Sequence, residues 1–179
     1  MVKYLLIVLC CFTVLFSLGC DTKTTTEDKT LAEIDIESIA DEADLEEVTI
    51  DTETYSDGGE SLKISADNPL VIQLANTGDI DVEDALLVYR AKIKTKDLDG
   101  KAYLEMWCSF AGKGQYFSRA VENALSGTND WTVQETPFFL KKGENPDDIK
   151  LNIVIDGKGT VWLDQIELVR KPLKNNVKN

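Results

Sequence analysis

Three segments of this chain alternate apolar and polar side chains with a period of two, and that alternation constrains the fold more than any other feature. Leu87, Tyr89, Ala91 and Ile93 share one face while Val88, Arg90, Lys92 and Lys94 share the other. Leu104, Met106, Cys108 and Phe110 oppose Tyr103, Glu105, Trp107 and Ser109, and Ile149, Leu151, Ile153 and Ile155 oppose Lys150, Asn152, Val154 and Asp156. Successive side chains of a strand point to opposite faces, so each segment offers one face to a core and one mixed face to solvent. Cys108 then reads as a small buried hydrophobe, the usual place of a free thiol.

The same texture runs from Val48 onward. About eight β-rich runs are separated by turn sequences such as Asp67-Asn68-Pro69, Asn76-Thr77-Gly78-Asp79, Asp97-Leu98-Asp99-Gly100 and Asp156-Gly157-Lys158-Gly159, with no long helical period after residue 60. This pattern predicts an all-β fold, an antiparallel two-sheet sandwich over residues 48–172. The Asp-Gly-Lys-Gly turn predicts that the last two runs form a hairpin. A span of roughly 120 residues is long enough to bury a sizeable core as a single domain.

Residues before 48 have a different character. One basic residue, Lys3, precedes an apolar run from Tyr4 to Leu18, then Gly19 and Cys20; this is the layout of a secretory signal peptide over 1–19. The apolar run is shorter than the roughly 20 residues that span a bilayer. A Cys just after a small residue resembles the lipobox of bacterial lipoproteins, although Ser17 stands where that motif usually has an aliphatic side chain. The resemblance implies cleavage before Cys20 and acylation, by palmitate or a similar chain, of Cys20. It also implies an exported protein anchored to a bacterial membrane, inner or outer, with its domain on the periplasmic or extracellular side. Of the four cysteines, Cys10 and Cys11 would leave with the signal and Cys20 would carry lipid. Cys108 alone remains, so no disulfide framework is expected despite the oxidising compartment.

The formal net charge of −13 is concentrated between Asp21 and Glu60, while residues 61–179 are nearly balanced. Residues 20–47 therefore read as an acidic flexible linker. Within it, Leu31, Ile34, Ile36, Ile39, Ala43 and Leu45 are spaced loosely like one face of a short helix, either a transient helix or a docking segment for a partner. Residues 173–179 read as a flexible tail. An acidic balance without a basic patch argues against a nucleic-acid partner.

Four pieces carry a second resemblance: residues 58–64, Tyr89-Arg90-Ala91-Lys92-Ile93-Lys94, Asp130-Trp131, and the closing run Gly159-Thr160-Val161-Trp162-Leu163-Asp164-Gln165-Ile166-Glu167-Leu168. Together they resemble galactose-binding-like jelly rolls, in particular carbohydrate-binding modules of families 4 and 9, over about residues 55–170. Gln165 departs from the Asp or Asn usual at its position. The resemblance implies an antiparallel jelly-roll sandwich with Trp131 and Trp162 packed inside. It also implies a structural calcium site at Asp164, for which Asp57 and Glu60 are the nearest candidate partners in sequence; calcium takes six to eight oxygens.

If the mixed faces share one sheet surface, that surface carries Arg90, Lys92, Glu105, Trp107 and Asn152, with Tyr103 at one end. An aromatic ring beside charged and amide groups suits a sugar, whose apolar face packs on the ring while side chains bond its hydroxyls. The competing reading is an ordinary cross-strand pair, Arg90 with Glu105, and a Trp107 covered by a loop. The stretch Gln115-Tyr116-Phe117-Ser118-Arg119 offers further contacts, although its aromatics read first as core. The chain has no His, which removes Ser-His and Cys-His nucleophile pairs, and no carboxylate pair is singled out, so no enzymatic activity is expected. Two functions stand side by side: a membrane-anchored lipoprotein whose sandwich binds carbohydrate, and a structural or protein-interaction lipoprotein of the cell envelope with no sugar ligand. Neither needs a cofactor.

Overall fold

The computed structural model describes residues 27–43 and 45–173. The expected signal peptide, Cys20, the start of the expected linker and nearly all of the expected tail lie outside them. Among the described residues, no helix is long and apolar enough to cross a membrane.

In chain order the elements are β1 (Lys29–Glu33), α1 (Ile36–Ala43), β2 (Val48–Asp51), β3 (Ser61–Ala66), β4 (Leu70–Asn76), β5 (Ala85–Phe110), β6 (Gly114–Arg119), β7 (Leu125–Leu140) and β8 (Asp148–Pro172), with a short 3-10 turn at Val121–Asn123. All pairing is antiparallel. The organising pair is β5 with β8, in register from Ala85 opposite Pro172 to Ser109 opposite Asp148. Both strands bend at the same place. Residues 85–96 of β5 run with 160–172 of β8 in one layer, flanked by β3, β2 and β1 on one side and β7 on the other. Residues 101–110 run with 148–156 in the second layer, between β4 and β6. The fold is the expected antiparallel jelly-roll sandwich.

The bend revises one expectation. Asp156-Gly157-Lys158-Gly159 does not close a hairpin: Gly157 faces Gly100 and Lys158 faces Asp99 across the ladder, so the chain carries straight over a corner. Gly100 has φ +131° and Gly157 φ +155°. A Cβ on Gly100 would lie 2.1 Å from the Asp156 carbonyl oxygen, and one on Gly157 2.0 Å from that of Asp99. Only glycine lets two backbones cross this closely with positive φ. The same residues that favour a reversal thus serve a shared corner.

Because both halves of β5 and β8 turn their apolar faces inward, a single core results. Leu87, Tyr89 and Ile93 from the first half of β5 meet Leu104, Met106 and Cys108 from the second, with Ile149, Leu151, Ile153, Val161, Leu163 and Leu168 from β8. Alternation therefore located the core face of each strand correctly.

The structure differs from the linker reading over residues 29–43. β1 adds to the edge of β8, with Lys29 opposite Arg170 and Glu33 opposite Glu167. In α1, Asp35 caps the start: its Oδ1 accepts the Glu37 N–H at 3.2 Å and its Oδ2 accepts the Ser38 hydroxyl at 2.9 Å. Eight residues are too few for a helix to stand alone in water. This one is held by Ile39, buried to 3% exposure, with Leu31, Ile34, Ile36 and Ala40 packed beside it on the core. The apolar spacing from Leu31 to Ile39 is a docking face, and what it docks on is the chain's own sandwich, while Leu45 stands exposed.

Candidate functional site

The corner in β5 divides the residues that the sequence suggested for one surface. Tyr103, Glu105, Trp107 and Asn152 lie on the outer face of the β4–β6 layer, whereas Arg90 and Lys92 belong to the other layer. Arg90 Nε pairs with Glu167 Oε2 at 2.6 Å, not with Glu105, and Lys92 Nζ donates to Ser56 Oγ at 2.7 Å. A straight strand would have kept 90 and 105 on related faces; a bent one sends them to opposite sides of the sandwich.

Directly paired residues of an antiparallel ladder point to the same side, which lets the outer face be read in rows. The first row runs Gln73, Asn152, Glu105, Arg119, and the second Lys150, Trp107, Phe117; a third joins Val71, Val154 and Tyr103. Glu105 organises the middle. It is 5% exposed, with Oε1 accepting Trp107 Nε1 at 2.7 Å and Asn152 Nδ2 at 3.0 Å, and Oε2 accepting Arg119 Nε at 2.5 Å. Burial alone would raise its pKa, but the donors from Asn152, Trp107 and Arg119 outweigh burial and hold it below the usual carboxylate value. Glu105 is therefore an anion whose oxygens are occupied by its neighbours. It positions the ring of Trp107 and the amide of Asn152 instead of reaching out to a ligand.

Trp107 is half-buried. Beside it stands Phe117, 52% exposed, with ring centroids 5.0 Å apart and planes inclined at 50°. The Arg119 guanidinium carbon lies 4.3 Å from the Phe117 ring centroid, within cation–π range. Two tilted rings and a guanidinium thus stand side by side on the outer face, Phe117 half-exposed and Trp107 more covered. Toward the corner, Tyr103 borders a depression of ≈ 380 Å³ with Pro69, Leu70, Val71 and Val154. Phe117 and Arg119 are the residues that sequence reasoning undervalued. The signal was present: Gln115, Phe117 and Arg119 alternate with Tyr116 and Ser118, so a parity fixed by Trp107 places them outside.

A cleft of ≈ 570 Å³ is elsewhere. It lies on the other layer among Glu33, Asp57, Glu60, Arg90, Lys92 and Asp164. It has more volume than the depression beside Tyr103 but no aromatic ring, and on its wall Arg90 is paired with Glu167. The proposed calcium ligands Asp57, Glu60 and Asp164 line this same cleft. Asp164 Oδ2 accepts the N–H groups of Ser56 at 2.7 Å and Asp57 at 2.9 Å, and Oδ1 accepts the Gln165 N–H at 2.7 Å. Asp57 accepts from the Gly58 N–H and from Gln165 Nε2. Among the described residues, no group of three or more carboxylate, thiol or imidazole side chains is placed to hold a metal. Asp164 anchors the 56–57 loop through hydrogen bonds. Gln165, at φ 49°, occupies the bulge where β8 shifts register against Arg90 and Lys92.

Of the two tryptophans expected inside, Trp162 is buried at 6% exposure with Nε1 on Asp51 Oδ2 at 2.9 Å. Trp131 is only half-buried.

No protein-family model matches the chain, and no curated protein matches it. Solved structures do. The CBM22-1 xylan-binding domain of Paenibacillus barcinonensis Xyn10C superposes with a TM-score of 0.57 at 12% identity, over 80% of this chain and 96% of that one. The CBM22-1 and GH10 modules of Clostridium thermocellum xylanase 10B, complexed with xylohexaose, give 0.56 at 11% identity over 79% of this chain and 28% of that one. A further xylan-binding domain of family 22 gives 0.51 at 10% identity over 79% and 94%. At these identities the likeness concerns architecture: the chain folds as a β-sandwich of the kind found in carbohydrate-binding modules.

Proposed function

We propose that this protein is a non-catalytic, lipid-anchored carbohydrate-binding protein, and that the outer face of the β4–β6 layer is its site. The observation that carries the reading is the Trp107–Phe117 platform, with Trp107 fixed by a buried, fully engaged Glu105. Sugar rings stack on these two faces; Asn152, Gln73 and Lys150 border them with hydrogen-bonding groups. The face is open at both ends of its rows, which suits a stretch of polysaccharide lying across it. Two of the matched proteins are described as xylan-binding domains and another was solved with xylohexaose, which makes β-1,4-linked glycans the first ligands to test. Affinity electrophoresis of the purified protein through gels cast with xylan and other soluble polysaccharides tests the reading. Retardation by at least one glycan is expected; unretarded migration in all of them contradicts it.

The anchor belongs to the same reading. Export by the 1–19 signal and acylation at Cys20 would hold the sandwich at a bacterial membrane, on its periplasmic or extracellular side. Cys20→Ala should abolish fatty-acid labelling and leave an uncleaved precursor. Unchanged processing and labelling would overturn the anchor and leave the sheet-face site untouched.

A further inference from the structure

At the end of the sandwich away from the corner, the layers part. Phe110 at the end of β5, Tyr116 on β6 and Phe138 and Phe139 on β7 line a recess of ≈ 290 Å³, with Lys113 and Lys141 at its mouth. Tyr116 and Phe139 are each 53% exposed. The rings make an angled cup: Phe110 meets Tyr116 edge-on at 5.9 Å and 67°, and Phe138 at 6.2 Å and 30°. Core aromatics ordinarily close such a gap; here they leave it open, on a short β6 whose Tyr116 hydroxyl donates to the Lys113 carbonyl and fixes the turn.

The charge at the mouth distinguishes this recess from the rest of an acidic protein. Neither the Lys113 nor the Lys141 ammonium is in an ion pair among the described residues. The one carboxylate on the wall, Glu144, is turned to the backbone, its Oε2 accepting the Lys141 N–H at 3.0 Å. Two ammonium groups on the rim of a recess lined with aromatic rings are complementary to a ligand that is apolar on its faces and anionic at its edge. A uronic acid has that form: a pyranose ring with axial C–H faces and an equatorial carboxylate. The volume lies at the lower end of small-molecule sites, enough for one or two rings.

We propose that this recess is a second saccharide site, separate from the sheet face and selective for an acidic sugar at a chain end or branch. Tyr116, with Phe110 and Phe138 beside it, supplies the stacking surface, and Lys113 and Lys141 the charge. The two sites lie on different parts of the molecule, so one anchored protein could engage a neutral backbone and an acidic substituent of the same matrix.

The test is titration of the full chain with digalacturonic acid, followed by amide chemical shifts, with the neutral disaccharide galactobiose and a tetraglutamate peptide in parallel. No tryptophan lines the recess, so indole fluorescence should stay silent while amides of 110–116 and 138–144 move. The pair Lys113→Gln with Lys141→Gln should weaken digalacturonate at least tenfold and remove its salt dependence. Tyr116→Ala, at a ring 53% exposed, should also weaken it about tenfold with little change in the thermal midpoint. Trp107→Ala should leave it unchanged, which keeps this site's failure distinct from that of the sheet face. Equal binding of galactobiose, an undiminished affinity in the lysine pair variant, or no shift at millimolar digalacturonate overturns the proposal. Tighter binding of tetraglutamate than of the sugar also overturns it and assigns the recess to an acidic peptide partner.

Discussion

Tyr89 carries the one buried side-chain polar atom without a hydrogen-bond partner among the described residues. Its hydroxyl sits at 0% exposure between the layers, and burial pushes its pKa well above the usual phenol value. A buried hydroxyl left unbonded costs about 1–3 kcal/mol. Tyr89→Phe keeps the ring and removes the cost, so urea unfolding should show equal or greater stability, by up to about 1 kcal/mol after partial compensation by relaxation. A clear loss would mean that the hydroxyl is bonded in solution. The engaged carboxylates act in the opposite sense. The Trp162 indole, ahead of the opposing effect of burial, holds Asp51 below the usual value, with Thr54, Glu53 and Lys63 adding to it; Glu105 is held low by its three donors against burial. A carboxyl with a folded pKa below its unfolded one stabilises fully above the unfolded pKa, and that contribution is lost as pH falls through the folded value. The thermal midpoint should therefore be flat with respect to these groups from neutrality down to about pH 5 and fall below about pH 4. Glu105→Gln should flatten that decline. A midpoint that rises on acidification would contradict the assignment.

At the scale of elements, the corner and the amino-terminal strap carry the sharpest tests. Gly100→Ala puts a methyl group into the Asp156 carbonyl with φ unsuited to any side chain, and should cost about 3 kcal/mol or more. The same change at Gly112, in an open turn with nothing within 4 Å, should cost only the strain of its positive φ, about 1 kcal/mol. Equal effects at both sites would remove the corner argument. Ile39→Ala should cost about 2–5 kcal/mol if α1 is seated on the core; no change in unfolding free energy would return 29–43 to a linker role. These elements also show what the sequence made legible. Core faces followed from alternation alone, because period two is a local property. Corner and hairpin, by contrast, use the same Asp-Gly chemistry, and only the long-range pairing of 97–100 with 157–160 decides between them. The strap was visible as apolar spacing, yet its binding surface is assembled from β8, to which β1 pairs, and from β2, β3 and β4, on which α1 rests, and no pattern within 29–43 encodes that assembly.

For the whole molecule, two bent strands build both layers, one core and one broad outer face, and the face is where the sequence and the structure meet. Trp107, Glu105, Asn152 and Tyr103 were legible as its members from strand parity; Arg90 and Lys92 were lost to the other layer by the bend, and Arg119 and Phe117 take their place. The likeness to xylan-binding domains supports the architecture, while the ligand has to be argued from the platform itself. The most direct measurement is calorimetric binding of the glycan that most retards the protein, made for Trp107→Ala and Phe117→Ala beside their thermal midpoints. Each ring contributes about 1–3 kcal/mol on stacking, so affinity should fall roughly tenfold to a hundredfold. Phe117→Ala, half-exposed in the free protein, should keep its midpoint. Undiminished affinity in both variants contradicts the account, as does an affinity that falls only in proportion to lost folded protein.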